Sequence, residues 1–173
     1  MEKLLIELIN NNIYMLIFLV MIIERIRVNS FRNIYTAYLF YFIGIFLHEL
    51  SHFIVSFLTN GRPDTFSVFP KKMNNSYIFG SVHSNNFQWY NRFLISFAPL
   101  LLLVVLYFMD KYFFLYFEDT LYTQILYIFL VIVLIDSSIP SSADFEIAFI
   151  GYSYVVWLSL ICSLIYLYVK VLK

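Results

Sequence analysis

Five consecutive residues carry the strongest chemical signal in the sequence: His48, Glu49, Leu50, Ser51 and His52. Histidines at positions i and i+4 of a helix lie on one face, one turn apart, so both imidazoles can reach a single metal ion. The glutamate beside the first histidine can then contact a water held by that ion. Zinc lowers the pKa of such a water toward about 7, and the glutamate accepts its proton. The pattern therefore predicts zinc-assisted hydrolysis, with His48 and His52 as metal ligands and Glu49 as the general base.

A third ligand has to come from elsewhere in the chain, because catalytic zinc usually has three protein ligands and a water. Asp144 is the preferred candidate, since it lies directly before the last apolar segment, after a proline and serine break where irregular backbone can line a polar cavity. Asp136 is the second choice, followed by Glu146 and His83. Asp144 could instead cap the helix that follows it. Both roles can coexist only if separate carboxylate oxygens serve them.

The composition predicts that these residues lie in a membrane protein. Of 173 residues, 62% are hydrophobic and 13% are charged, against about 45–50% and about 25% in an average soluble domain. A soluble domain of this size cannot bury so much apolar surface, and Cys162, the single cysteine, excludes a disulfide scaffold. Basic and acidic residues number 11 each, with no basic block that would indicate nucleic acid. We therefore expect one membrane-embedded domain over residues 1–173, with the lipid bilayer as its surroundings.

The hydropathy pattern predicts an all-α integral membrane fold with four to five transmembrane helices. A spanning helix needs about 20 mostly apolar residues. Glu7 and a run of asparagines weaken the first candidate, which we interpret as an uncleaved helix, and Pro99 is expected to kink the third. Short polar loops are expected at residues 110–120 and 136–144. The five candidate segments are residues 4–23, 34–58, 93–109, 121–135 and 145–169.

The polar stretch after the second segment, residues 59–92, contains two β-prone runs at 65–69 and 76–82. Turn-forming and charged residues separate them, so a small β-hairpin-like loop is predicted. Lys and Arg divide almost evenly between the two sides of the predicted topology, so the positive-inside rule assigns no orientation.

The position of the motif within the second apolar segment strengthens its interpretation. A charged residue at the centre of a spanning helix costs about 2.5–3.5 kcal/mol, and an ionisable group there is a functional hypothesis by default. A structural role is the competing hypothesis. In that case His48 and His52 hydrogen-bond across a helix bundle and Glu49 is neutral.

Four features in order resemble the site-2 protease family of intramembrane zinc metalloproteases. They are the His48–His52 motif in an early apolar helix, the strand-like loop after it, the sequence Ser-Phe-Ala-Pro-Leu at 96–100, and an aspartate before a later helix. The resemblance implies that His48, His52 and Asp144 hold Zn²⁺ and that Glu49 is the general base. The chain departs from the family in two places. No asparagine follows the proline at residues 101–105, and Phe145 replaces the glycine after the aspartate. The resemblance is thus to a small, divergent member.

Three functions are compatible with these sequence features. The first is an intramembrane zinc metalloendopeptidase that hydrolyses membrane-embedded protein or peptide substrates, with the loop at 59–92 capturing an extended segment by strand addition. The second is a catalytically inactive membrane interaction protein that retains a metal-binding histidine pair. The third is a zinc enzyme acting on another bond. Richness in Ile, Asn, Phe and Tyr indicates an AT-rich genome and hence a multi-pass protein of a prokaryotic plasma membrane.

Overall fold

The computed structural model describes residue 22 and residues 34–73 and 76–171. The predicted first segment, residues 4–23, therefore lies outside the described residues except for residue 22. Helices dominate the described part, and a single 3₁₀ turn covers Ala98–Leu100. The helices are α1 (Ile34–Leu58), α2 (Arg92–Ser96), α3 (Leu101–Tyr116), α4 (Leu121–Ser138), α5 (Ser142–Phe149) and α6 (Ser153–Val171).

Four helical segments of the described chain are long and apolar enough to cross a membrane. They are Tyr41–Leu58, Ala98–Tyr116, Leu121–Ser138 and Ser153–Lys170. Together with a small strand region after α1, they confirm the predicted all-α membrane fold with a hairpin-like loop. Only 6% of the last segment is buried within the protein, so most of α6 is available to lipid.

The predicted kink at Pro99 is confirmed, but the predicted loop at 110–120 is largely wrong. Helix α2 ends at Ser96, the proline lies in the 3₁₀ turn, and α3 then continues to Tyr116. Asp110 and Lys111 nevertheless belong to α3. The Tyr127 hydroxyl of α4 donates a hydrogen bond to Asp110, and the Lys111 ammonium lies over the ring of Tyr112.

Two predicted boundaries near the end of the chain also move. Helix α4 extends through residues 136–138, so the polar break is shorter than predicted. The predicted last span, residues 145–169, is not one helix, because the chain turns between α5 and α6. Gly151 adopts a φ of +78° there, a conformation that glycine enters without steric cost. The Ser153 hydroxyl then accepts a hydrogen bond from the Phe93 amide, which fixes the start of α6 on α2.

The strand region consists of two antiparallel pairs. Strand β1 (Pro63–Ser67) pairs with β4 (Ser81–Ser84), and β2 (Lys71–Met73) pairs with β3 (Ser76–Ile78). The ring of Phe66 on β1 contacts Phe46 and Phe53 of α1, with ring centroids 6.0 and 5.8 Å apart. Both α1 residues belong to the membrane-crossing segment. The sheet therefore lies beside the apolar length of α1.

Candidate metal centre

The two histidines of α1 each bond a backbone carbonyl through Nδ1, and their Nε2 atoms lie close together. The Nδ1 of His48 donates to the Ser137 carbonyl at the end of α4 over 2.9 Å, and the Nδ1 of His52 donates to the Ile95 carbonyl of α2 over 2.7 Å. A carbonyl can only accept, so each Nδ1 carries the proton and each Nε2 is left with a lone pair. The two Nε2 atoms are 3.2 Å apart. Backbone contacts of this kind orient metal-ligating histidines and fix their tautomer.

Asp144 of α5 completes the group. Its Oδ1 lies 3.2 Å from the Nε2 of His52, and its Oδ2 lies 3.4 Å from the Nε2 of His48. Ligand atoms about 2.0–2.1 Å from a tetrahedral zinc stand about 3.3–3.4 Å from one another. The separation of the two Nε2 atoms and that of the His52 Nε2 from Oδ1 are close to this value, while the contact with His48 is made by the other oxygen, Oδ2. Two neutral imidazoles and one carboxylate are also a common donor set for zinc.

The backbone at the start of α5 holds the Asp144 carboxylate in place. Ser141 is the N-cap of this helix, and Asp144 is the third residue of a capping box. The amide and hydroxyl of Ser141 donate to the Oδ2 of Asp144 over 2.7 and 2.6 Å. The expectation that Asp144 itself might be the cap is thus wrong. The capping box uses Oδ2, which leaves Oδ1 for a metal ion.

The charge of Asp144 is strongly favoured in this setting. Burial opposes ionisation of the carboxyl, but hydrogen bonds from His48 and His52 when their Nε2 atoms are protonated, together with the hydrogen bond from Ser141, outweigh burial and hold the pKa of Asp144 well below its usual range. The Asp144 carboxyl is therefore ionised at physiological pH.

Glu49 lies beside the histidines and directly under the strand region. Glu49 is 9% exposed, and its carboxylate takes part in none of the hydrogen bonds among the described residues. A Cβ at Gly80, just before β4, would lie 2.6 Å from both Cγ and Oε1 of Glu49. Only a residue without a side chain can therefore bring the backbone this close to the glutamate.

A cavity of about 680 Å³ adjoins the metal centre. Its walls come from α1, from the strand region, from α2 and from the turn between α4 and α5. Ser141 and Ser142 line the cavity and are exposed, so its rim at this turn is polar.

The remaining candidate ligands lie outside the group of three. Asp136 lines the same cavity from the last turn of α4, but it does not join the histidines in a cluster. Glu146 is exposed on α5. His83 is exposed on β4, while its neighbours Val82 and Ser84 line the cavity. Strand alternation therefore turns His83 away from the histidine pair.

Sequence reasoning missed the residues that position the site. The carbonyls of Ile95 and Ser137 have no signature in side-chain patterns, because any residue supplies the same acceptor. Gly80 is one of 4 glycines, and only the folded chain reveals its contact with Glu49. Ser141 could have been found, since a serine three residues before an acidic residue is typical of a capping box.

In the zinc hydrolase that the sequence predicts, replacing Gly80 by alanine is expected to lower catalysis without removing metal. The new methyl group would overlap Glu49 and displace its carboxylate, and misplacement of a catalytic group by about 1 Å can cost about 10²-fold in rate. The comparison measures the cleavage rate and the zinc content of Gly80→Ala against Thr65→Ala, an exposed position on β1. Equal rates in the two variants would show that Gly80 does not set the position of Glu49.

Among the described residues, His48, His52 and Asp144 form a group that could hold a metal ion. Its members come from two helices, and Asp144 follows His52 by more than ninety positions, so the fold rather than local sequence assembles the group. Comparisons with protein-family models, with curated proteins and with solved structures find no match for this chain.

Proposed function

We propose that the protein is an intramembrane zinc metalloendopeptidase in which His48, His52 and Asp144 hold Zn²⁺ and Glu49 is the general base. One observation carries the proposal. Three possible ligand atoms lie within 4.8 Å of one another, and two of them are next to a buried glutamate on a helix long and apolar enough to cross a membrane. Ionisable groups at such a depth are costly and mark function more often than packing.

The side chains divide the work of hydrolysis as follows. When bound, zinc supplies a Lewis acid that polarises a peptide carbonyl and makes water more acidic. Glu49 takes the proton from the attacking water and delivers it to the leaving amine, so that the peptide C–N bond breaks and a carboxyl and an amine result. The carbonyls of Ser137 and Ile95 keep both imidazoles aimed at the ion throughout.

The substrate we propose is a membrane-embedded protein segment in extended conformation. A helix uses its own carbonyls for internal hydrogen bonds, so it has to unwind before hydrolysis. Strand β4 pairs with β1 on one side, while Gly80 and Val82 line the cavity. An unwound segment can therefore lie alongside β4 with a carbonyl near the histidines, in the manner of strand addition.

The route by which water reaches Glu49 and the membrane location of the protein are also part of the proposal. The exposed serines at the start of α5 give water a polar path to Glu49 from the turn between α4 and α5. Four apolar helices indicate a membrane protein, and we propose the plasma membrane of a prokaryote as its site from the composition alone.

Metal removal tests the proposal directly. The full chain, purified in detergent with zinc, is expected to cleave a reporter protein that has one membrane-spanning helix. A chelator should abolish cleavage, and added Zn²⁺ should restore it, because no other group in the site can polarise the carbonyl to the same degree. Calcium, which prefers six to eight oxygen ligands, should not restore it. Cleavage that persists at full chelation would contradict a zinc mechanism.

A second function is supported by the contact between Gly80 and Glu49. The backbone at residue 80 covers the glutamate, as expected for a catalytically inactive membrane protein that uses a metal ion to join α1 to α5. Zinc would then raise thermal stability, and no reporter would be cleaved.

A further inference from the structure

Ser96 is exceptional among the buried serines of the described chain. The hydroxyls of the others each have a hydrogen-bond partner, whereas the Oγ of Ser96 has none, although the residue is only 2% exposed. The partnered buried serines are Ser51, Ser56, Ser84, Ser137, Ser138 and Ser153.

The missing partner is notable because Ser96 is in a helix. Helical serines commonly donate to a carbonyl three or four residues earlier. Ser51 does so to His48, and Ser138 does so to Ile135. A buried hydroxyl without a partner costs free energy, since it has lost its bond to water and gained nothing in return. A binding partner that arrives later can offset this loss.

The position of Ser96 indicates what that partner is. Ser96 lines the cavity that contains His48, Glu49 and His52. It directly follows Ile95, whose carbonyl orients the His52 ring. The hydroxyl is therefore attached to a segment that already positions the metal centre.

Other buried hydroxyls in the cavity wall already have partners. Ser84 is bonded to Ser56 of α1, and Ser137 donates to the Val133 carbonyl. A peptide carbonyl that enters the cavity needs a donor, and a carbonyl carbon attacked by water develops negative charge on its oxygen. Ser96 lines the same cavity, and its hydroxyl is a donor without a partner.

We propose that the Ser96 hydroxyl donates a hydrogen bond to the carbonyl oxygen of the scissile peptide bond, and more strongly to the oxyanion that develops on it. This role rests on the proposed peptidase function. It makes Ser96 a catalytic residue that contacts the substrate, and it explains why a buried hydroxyl of α2 lacks a partner within the chain.

The test compares Ser96→Ala with Ser138→Ala, a buried serine outside the cavity lining. Loss of one oxyanion donor costs about 10²–10³-fold in kcat, so Ser96→Ala is expected to lose that much with KM and zinc content near the wild-type values. Its thermal stability in detergent should stay unchanged or rise, because no native hydrogen bond is lost. Ser138→Ala should instead lose stability and keep its kcat. A kcat for Ser96→Ala equal to that of the wild type would overturn the proposal.

A binding measurement separates this inference from the proposed function. A phosphinic peptide has a tetrahedral phosphorus atom whose oxygens lie where the oxyanion would form. Its affinity for the zinc-loaded chain therefore measures the hydrogen bond from Ser96 without turnover. Ser96→Ala is expected to bind it at least about 10-fold more weakly than the wild type does, in keeping with the strength of a hydrogen bond to a charged group. Equal affinity in the two proteins would overturn the Ser96 role. Ser96-dependent binding by a wild-type protein that cleaves nothing would support the donor and contradict the peptidase.

Discussion

Glu49→Gln is expected to abolish peptide cleavage while zinc remains bound. Glutamine has nearly the same size and shape as glutamate, so the 9% exposed position keeps its packing. The amide cannot accept the proton of the attacking water, and general base catalysis is typically worth about 10²–10⁴-fold in rate. The histidines and Asp144 hold their positions through other contacts, so the metal content should not change.

The matched control is Glu146→Gln, which makes the same chemical change at an exposed position of α5. Both variants are purified as full chains in detergent, and both zinc content and cleavage of a single-span reporter are measured. Glu146→Gln should behave as the wild type. A Glu49→Gln protein that is loaded with zinc and cleaves at the wild-type rate would rule out the proposed base and, with it, the peptidase mechanism.

The histidine pair of the candidate metal centre is predictable because its geometry is local. The i, i+4 spacing of His48 and His52 places both side chains on one helical face whatever the rest of the chain does. The third ligand is not local. Its prediction depended on a proline and serine break before an apolar segment, which left Asp144 and Asp136 both open. The fold favours Asp144, because the turn between α4 and α5 brings that carboxylate within 3.2–3.4 Å of both imidazoles.

The hydropathy pattern predicts the membrane fold, but it misplaces helix boundaries at polar residues that have partners within the fold. The sequence at Asp110 and Lys111 predicts a loop, but α3 continues through both residues, and Asp110 accepts a hydrogen bond from Tyr127 of α4. The opposite error occurs at Gly151, where an apolar run hides a turn. In both cases tertiary contacts or a single backbone conformation outweigh the average hydropathy of a segment.

The supporting parts of the site were beyond sequence reasoning for a simple physical reason. The carbonyls of Ile95 and Ser137 are backbone atoms, so their identity as acceptors for the histidines depends only on where α2 and α4 pack. Gly80 acts through the absence of a side chain. Neither a backbone carbonyl nor a missing side chain produces a sequence pattern that would identify the residue.

Asp144→Ala is expected to release zinc, whereas Asp136→Ala is expected to retain it. Loss of a residue that only orients a ligand costs about 10–100-fold in metal affinity, so removal of a direct ligand should cost more than that. Asp136 lines the cavity but lies outside the cluster, and its removal leaves both imidazoles and the Asp144 carboxylate in place. Metal affinity is measured by competition with a chelator of known strength, on full chains in detergent.

A third variant separates ligation from folding, because Asp144 also belongs to the capping box of α5. Asp144→Ala loses that box, and loss of a capping interaction costs about 1 kcal/mol. Asp144→Asn keeps an acceptor for the Ser141 amide and hydroxyl but replaces the charged ligand by a weak neutral one. If zinc affinity falls in both variants while only the alanine variant loses thermal stability, the carboxylate acts on the metal and not merely on the helix. Full zinc occupancy in Asp144→Ala would assign the third ligand to another residue, and Asp136 would be the first to consider because it is the other aspartate in the cavity wall.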